Sequence, residues 1–232
     1  MSSCYNLEER IAFVHIPKCA GSSIGGTWRD NTWSNCWLND VIGGFTMDKF
    51  PIGHIPVAAL EQFTGKPIDW WNKIIVTIRN PFEQQLSQWA FWRKRGAHCK
   101  ATGRNVHNDD LVAMSTTLEQ FVKSPFSAGP NAMCGDKWQE VGGVFRWWIG
   151  DLDGTVAPNV HVIRTEDLHD RIYDVLGIDD SIPVPHRNTS SHGEWQNEYT
   201  PEAIEAVRSK FAWSFAMYYQ DVIKSSEPPV FS

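Results

Sequence analysis

The segment His15-Ile16-Pro17-Lys18-Cys19-Ala20-Gly21-Ser22-Ser23 sets a lysine, a glycine and two hydroxyls close together. Those residue types suit an anion. Lysine brings a mobile positive charge, glycine lets a ligand approach the backbone, and the serines and main-chain N–H groups donate hydrogen bonds. Taken alone, the same residues also describe a capped helix start beside a solvated lysine. A second group is Arg79-Asn80-Pro81 with Ser87 eight residues after the arginine. A planar guanidinium fork matches phosphate oxygens and the serine hydroxyl donates to another, so the pair suits a terminal phosphomonoester. A surface arginine and a packed helical serine are the plainer alternative. His54, in Phe50-Pro51-Ile52-Gly53-His54-Ile55-Pro56, is the first candidate for a general base, because an unperturbed imidazole titrates near neutrality. A turn histidine bonded to backbone fits it equally. Glu61, Glu83, Asp48 and His98 are the other candidates, and His15, inside an apolar run, reads as structural.

Ile11 to Ile16 is a short apolar run stopped by Pro17, which predicts a buried strand ending where the lysine loop begins. Ser22 or Ser23 caps a helix predicted to run toward Asp30, weakened by Gly25 and Gly26. Lys73 to Ile78 predicts a second strand, and Pro81 opens a helix predicted to end near Arg95, before Gly96. Residues 97–116 read as polar and irregular. Thr117 to Lys123 and Asp136 to Trp148 read as helical, the latter loosened by Gly142 and Gly143. Val160 to Ile163 is a further strand, followed by helices from about Asp167 to Leu176 and from Thr200 to about Tyr219. Alternating strands and helices imply an α/β layered fold with a mainly parallel central sheet flanked by helices. One domain over residues 1–224 is expected, with 225–232 as a tail. The lysine loop is not a Walker A sequence, because Lys18 precedes Gly21 instead of following the glycines, and it is not GxGxxG.

With 232 residues and a net charge of −6, the chain can bury a sizeable core and lacks the accumulated Lys and Arg of a general nucleic-acid binder. Five cysteines without CxxC spacing argue against a zinc site or a regular disulfide framework and fit a reducing compartment. No apolar run is long enough to span a membrane, and MSSCYNLEER has no basic start leading into an apolar stretch. The expectation is a cytoplasmic protein, unless an anchor has been removed. Most of the twelve tryptophans are expected in the core. Arg93, Lys94, Arg95, Lys100 and Arg104 form a local basic run with Trp92 and His98, either a solvated helix end or an attraction for an anionic partner.

Together the two motifs resemble those of the PAPS-dependent sulfotransferase superfamily (PAPS, 3′-phosphoadenosine 5′-phosphosulfate), in its carbohydrate and type-2 branch. That family's signatures read approximately FxHIPKTGGTS and RxPxxxxxSxY, where this chain has FVHIPKCAGSS and RNPFEQQLSQW. Cys19, Ala20 and Ser22 depart from threonine, glycine and threonine, and Trp89 from tyrosine. Val162 to Leu168 is similar to the family's strand-then-EDL segment, and Arg187-Asn188-Thr189-Ser190-Ser191 to its asparagine–serine loop. The four segments span residues 11–220 in family order, with 97–150 unmatched. The resemblance implies a P-loop-like fold and PAPS as donor, with adenosine 3′,5′-bisphosphate as product and no metal. It also implies Lys18 on the phosphosulfate and the Cys19, Ala20, Gly21, Ser22 and Ser23 loop around the 5′-phosphate. Arg79 and Ser87 fall on the 3′-phosphate, and Asn188 and Ser190 are further donor contacts. His54 matches a Gly-His segment between the donor motifs. The implied partner is a hydroxyl-bearing acceptor, a carbohydrate or small molecule, with an anionic glycan as one class. Two other readings stay open. One is a nucleotide or small-molecule kinase, for which Glu166 and Asp167 are the suggestive acids; the other is a non-catalytic anion- or sugar-binding module.

Overall fold

The computed structural model describes residues 3–24, 54–129, 134–181, 183–184 and 193–225. Asn188, Ser190, Asp48, Cys36, the expected helix beyond Ile24 and the tail past Ser225 lie outside them. In chain order the strands are β1 (Cys4–Asn6), β2 (Ile11–Val14), β3 (Lys73–Ile78) and β4 (Val160–Arg164). The helices are α1 (Gly21–Ile24), α2 (Leu60–Thr64), α3 (Pro81–Ala101), α4 (Asn108–Ser115), α5 (Leu118–Lys123), α6 (Lys137–Val141), α7 (Val144–Ile149), α8 (Leu168–Leu176), α9 (Pro201–Lys210), α10 (Ala212–Tyr218) and α11 (Gln220–Ser225). The chain divides into two compact units, Met1–Arg79 with Trp148–Thr189, and Asn80–Trp147 with Ser190–Ser232.

The first unit holds a mixed sheet ordered β1-β2-β3-β4. β1 runs antiparallel to β2, with Cys4 opposite Phe13. β2, β3 and β4 are parallel, with Val14 opposite Val76 and Val76 opposite Val162. Side chains alternate across a strand, so Ile11, Phe13, Ile75 and Ile163 share one face, and that face buries against Ile24 of α1 and Leu168, Ile172 and Leu176 of α8. Each such aliphatic side chain contributes on the order of 1.5–3 kcal/mol when removed from water. The parallel register has a consequence for chemistry. It carries the chain off β2, β3 and β4 at one sheet edge, into the Lys18 loop, Arg79 and the Thr165–Asp167 turn respectively, and this carboxyl edge is where open α/β sheets bind ligands.

The second unit, among its described residues, is helical. Phe82 stacks on Trp195 at 4.2 Å and meets Tyr199 edge-on, whose hydroxyl donates to the Phe82 carbonyl at 2.8 Å. Three local expectations change here. α3 continues through Gly96 to Ala101, because a Cβ at Gly96 would collide with the Met114 sulfur and the Asp110 side chain. Glycine is kept there for helix contact, against its propensity cost. Part of 97–116, expected to be irregular, forms α4, held to α3 by the fully buried Asp110 and Arg95 at 2.7 Å. The expected single helix from Thr200 to Tyr219 breaks between α9 and α10, where two consecutive side chains turn inward. The Lys210 amine donates to the Ser124 carbonyl and the Ser127 hydroxyl, both at 2.7 Å, and the Phe211 ring packs edge-on against Phe145.

Candidate anion site at the carboxyl edge of the sheet

The loop after β2 is held by its neighbours. His15, buried at the strand end, donates its main-chain N–H to the Ser3 hydroxyl at 3.0 Å. The Cys19 main-chain N–H donates to the Ile16 carbonyl at 3.3 Å, and that of Ser23 to Ala20 at 2.9 Å. On the next strand, the fully buried Thr77 hydroxyl donates to the Cys19 carbonyl. Lys18 and Ala20 both take left-handed backbone angles, with φ of 65° and 55°. Non-glycine residues bear this strain rarely, and such alternation is the local pattern of anion-binding nests. Ser22 and Ser23 lie buried just beyond.

Gly21 is fixed by close approach. A Cβ there would collide with the imidazole of His15, so glycine is required for the ring and the loop to coexist. The His15 ring also lies 4.6 Å from that of His54, tilted by 57°. His54 Nδ1 sits 3.0 Å from the His15 carbonyl oxygen. A carbonyl only accepts, so Nδ1 is the nitrogen that donates in this bond, and in the neutral ring Nε2 carries the lone pair.

The electrostatics centre on two cations. Burial, with the charge of Arg79 second, lowers the pKa of the half-buried Lys18 to about 8, against a weaker opposing influence of Cys19. The Cys19 thiol is fully buried, and burial drives its pKa far up despite the nearby guanidinium of Arg79 and a main-chain hydrogen bond from that residue. Cys19 is thereby a packing group and not a nucleophile. Thus Lys18, Cys19 and Arg79 come together at the sheet edge in a single unit, with His15 and Gly21 on the same loop and His54, from a separate segment, packed against His15. Two cations that raise one another's electrostatic energy are a setting that an anion would relieve.

Other expected residues fall elsewhere. Ser87 is in the second turn of α3, in the second unit, and is fully buried. Glu83 and His98 also lie on α3, while the exposed Glu61 lies on α2. Asp167 has both carboxylate oxygens on Arg164, at 2.7 and 3.2 Å, which engages an acid that a metal-dependent kinase reading would need. Thr77 was not among the expected site residues. Its signal is visible in retrospect as the one hydroxyl in the run Ile-Ile-Val-Thr-Ile. Among the described residues no group of His, Cys, Asp and Glu is arranged to hold a metal ion, and no helix is long and apolar enough to cross a membrane.

No family model, curated protein or solved structure matches this chain in the comparisons made.

Proposed function

We propose that the chain is a PAPS-dependent sulfotransferase, built as a P-loop-like α/β fold whose donor lies across the carboxyl edge of the parallel strands. The observation that carries the reading is the convergence of Lys18 and Arg79 on a left-handed, glycine-containing loop whose sequence resembles the donor motif of that superfamily. Lys18 meets the phosphosulfate and the loop from Cys19 to Ser23 surrounds the 5′-phosphate. Arg79 takes the 3′-phosphate. The assignment of Ser87 to that phosphate rests on the spacing of the second motif alone, and those of Asn188 and Ser190 on sequence resemblance.

In the proposed reaction the acceptor oxygen forms a bond to sulfur as the bond between sulfur and the 5′-phosphate oxygen breaks, with the three atoms nearly in line. Lys18 opposes the charge that grows on the leaving phosphate. The acceptor proton goes to His54 Nε2, the nitrogen left as acceptor by the Nδ1 bond to the His15 carbonyl. The products are a sulfate ester and adenosine 3′,5′-bisphosphate. The acceptor is a carbohydrate or small-molecule hydroxyl.

The test is a calorimetric titration with adenosine 3′,5′-bisphosphate beside 5′-AMP and magnesium-free ATP. Selective binding of the bisphosphate, lost in Arg79→Ala, is the expected result. Equal binding of all three, or none, overturns the donor assignment and returns the kinase and sugar-binding readings. Bisphosphate binding without sulfuryl transfer to any acceptor would identify a non-catalytic module.

A further inference from the structure

Helix α3 lines up Trp89, Ala90, Arg93, Lys94 and Ala97 at spacings that one helical face presents together. With Met114 of α4 they border a groove of about 550 Å³ inside the second unit. Its walls are held in place. The Trp89 indole N–H donates to the Thr116 carbonyl at 3.3 Å, which pins the ring beside the end of α4. Gly96 admits Met114 at a distance that any larger residue would forbid.

The charges around the groove divide into two kinds. Arg95 is bound to the buried Asp110 at 2.7 Å and serves the packing of α3 on α4. Arg93 and Lys94 are exposed, and among the described residues neither joins an ion pair. The Arg93 guanidinium lies 4.4 Å from the centroid of the Trp89 ring, so a cation is already seated on an aromatic wall. In a chain of net charge −6, two unopposed cations beside an indole, two alanines and a thioether make a local amphipathic receptor.

We propose that this groove binds a small organic anion, with a flat apolar body against Trp89, Ala97 and Met114 and a carboxylate or sulfonate-type charge at Arg93 and Lys94. The volume falls within the range of small-molecule sites, roughly 300–1,000 Å³. A long polyanionic glycan suits it less, because such a chain needs cations spread along its length and Arg95 is already engaged. The inference does not depend on sulfuryl transfer, and its test uses no nucleotide.

The probes are 2-naphthalenesulfonate and its uncharged counterpart 2-naphthalenemethanol, each titrated into the full chain by calorimetry. In parallel, the Trp89 indole N–H resonance is followed, assigned by its loss in Trp89→Phe. The sulfonate is expected to bind at one site and shift that resonance, with the alcohol at least about tenfold weaker. Arg93→Gln with Lys94→Gln should weaken the sulfonate by at least about tenfold while leaving the alcohol unchanged. Ala97→Trp should fill the groove and abolish both. Equal affinity for the two wild-type titrations, an unmoved Trp89 resonance, or undiminished sulfonate binding in the double variant would each overturn the proposal. Sulfonate-sensitive self-association in sedimentation would also overturn it, assigning the groove to a contact between copies. The wild-type comparison of the two probes decides even where a variant fails to fold.

Discussion

Anion binding at the lysine loop should draw a proton from solution, because Lys18 is held near pKa 8 by burial and by Arg79. A phosphate placed against the amine supplies a strong opposite charge and returns the pKa toward its ordinary value near 10.4. Protonation is then nearly complete in the complex throughout the neutral range, while the empty site is about half protonated at pH 8. The uptake per adenosine 3′,5′-bisphosphate bound is therefore about 0.1 proton at pH 7, about 0.5 at pH 8 and about 0.9 at pH 9. Affinity carries the same sign. It is nearly flat below pH 7 and falls toward about tenfold per pH unit well above pH 8, as the free amine loses its charge before the ligand arrives. Calorimetric titrations in buffers of low and high ionisation enthalpy measure the uptake directly, since the observed heat changes with the buffer in proportion to the protons taken up. Lys18→Met removes the contribution and corrects for protons bound by the ligand. Zero uptake at pH 8 in the wild type, or the same uptake in Lys18→Met, would refute the view that Lys18 faces the anion.

Gly21→Ala should destabilise the protein by about 1–3 kcal/mol and abolish bisphosphate binding, since its Cβ collides with the His15 ring; thermal melts and calorimetry read both. Ala20→Gly is the opposite case, because relief of the left-handed strain offsets the added chain entropy, and it should leave the melting temperature unchanged or raised. His54→Ala should lower turnover by about 10²–10⁴-fold with bisphosphate affinity within about twofold of wild type, and full retained activity would assign the base elsewhere. Lys210, whose pKa burial lowers to about 8, favours folding more as pH rises, because between about 8 and 10.5 the unfolded chain holds the extra proton. Urea unfolding at pH 7 and 9 should show wild type gaining about 1 kcal/mol relative to Lys210→Met. A pH-independent difference would mean that the amine is not desolvated in the folded state.

The cores of β2, β3 and β4 and the start of α3 were legible as local signals. Apolar β-branched runs bounded by Pro17 or preceded by a polar turn have few alternatives to a buried strand, and Asn80-Pro81 caps and opens a helix through its own side chain and fixed backbone angle. The basic character of the loop was legible too, since Lys18 and Gly21 lie three residues apart. What lay beyond local reading was everything settled between distant segments. Gly96 looks like a helix end until Met114 is seen against it, and Lys210 looks like a solvated residue until Ser124 and Ser127 take its amine. Likewise, nothing in the spacing of residues 15, 21 and 54 puts the His15 imidazole against Gly21 and the His15 main-chain carbonyl against the His54 ring. Thus the sequence by itself determined the three parallel strands β2, β3 and β4 but not the antiparallel β1, together with where the cationic loop falls and which chemistry those residue types permit. Only the tertiary structure decided which cation is desolvated, which histidine nitrogen bonds the main chain and which glycine is sterically required, because desolvation, hydrogen-bond partner and close contact are properties of residues brought together across the chain.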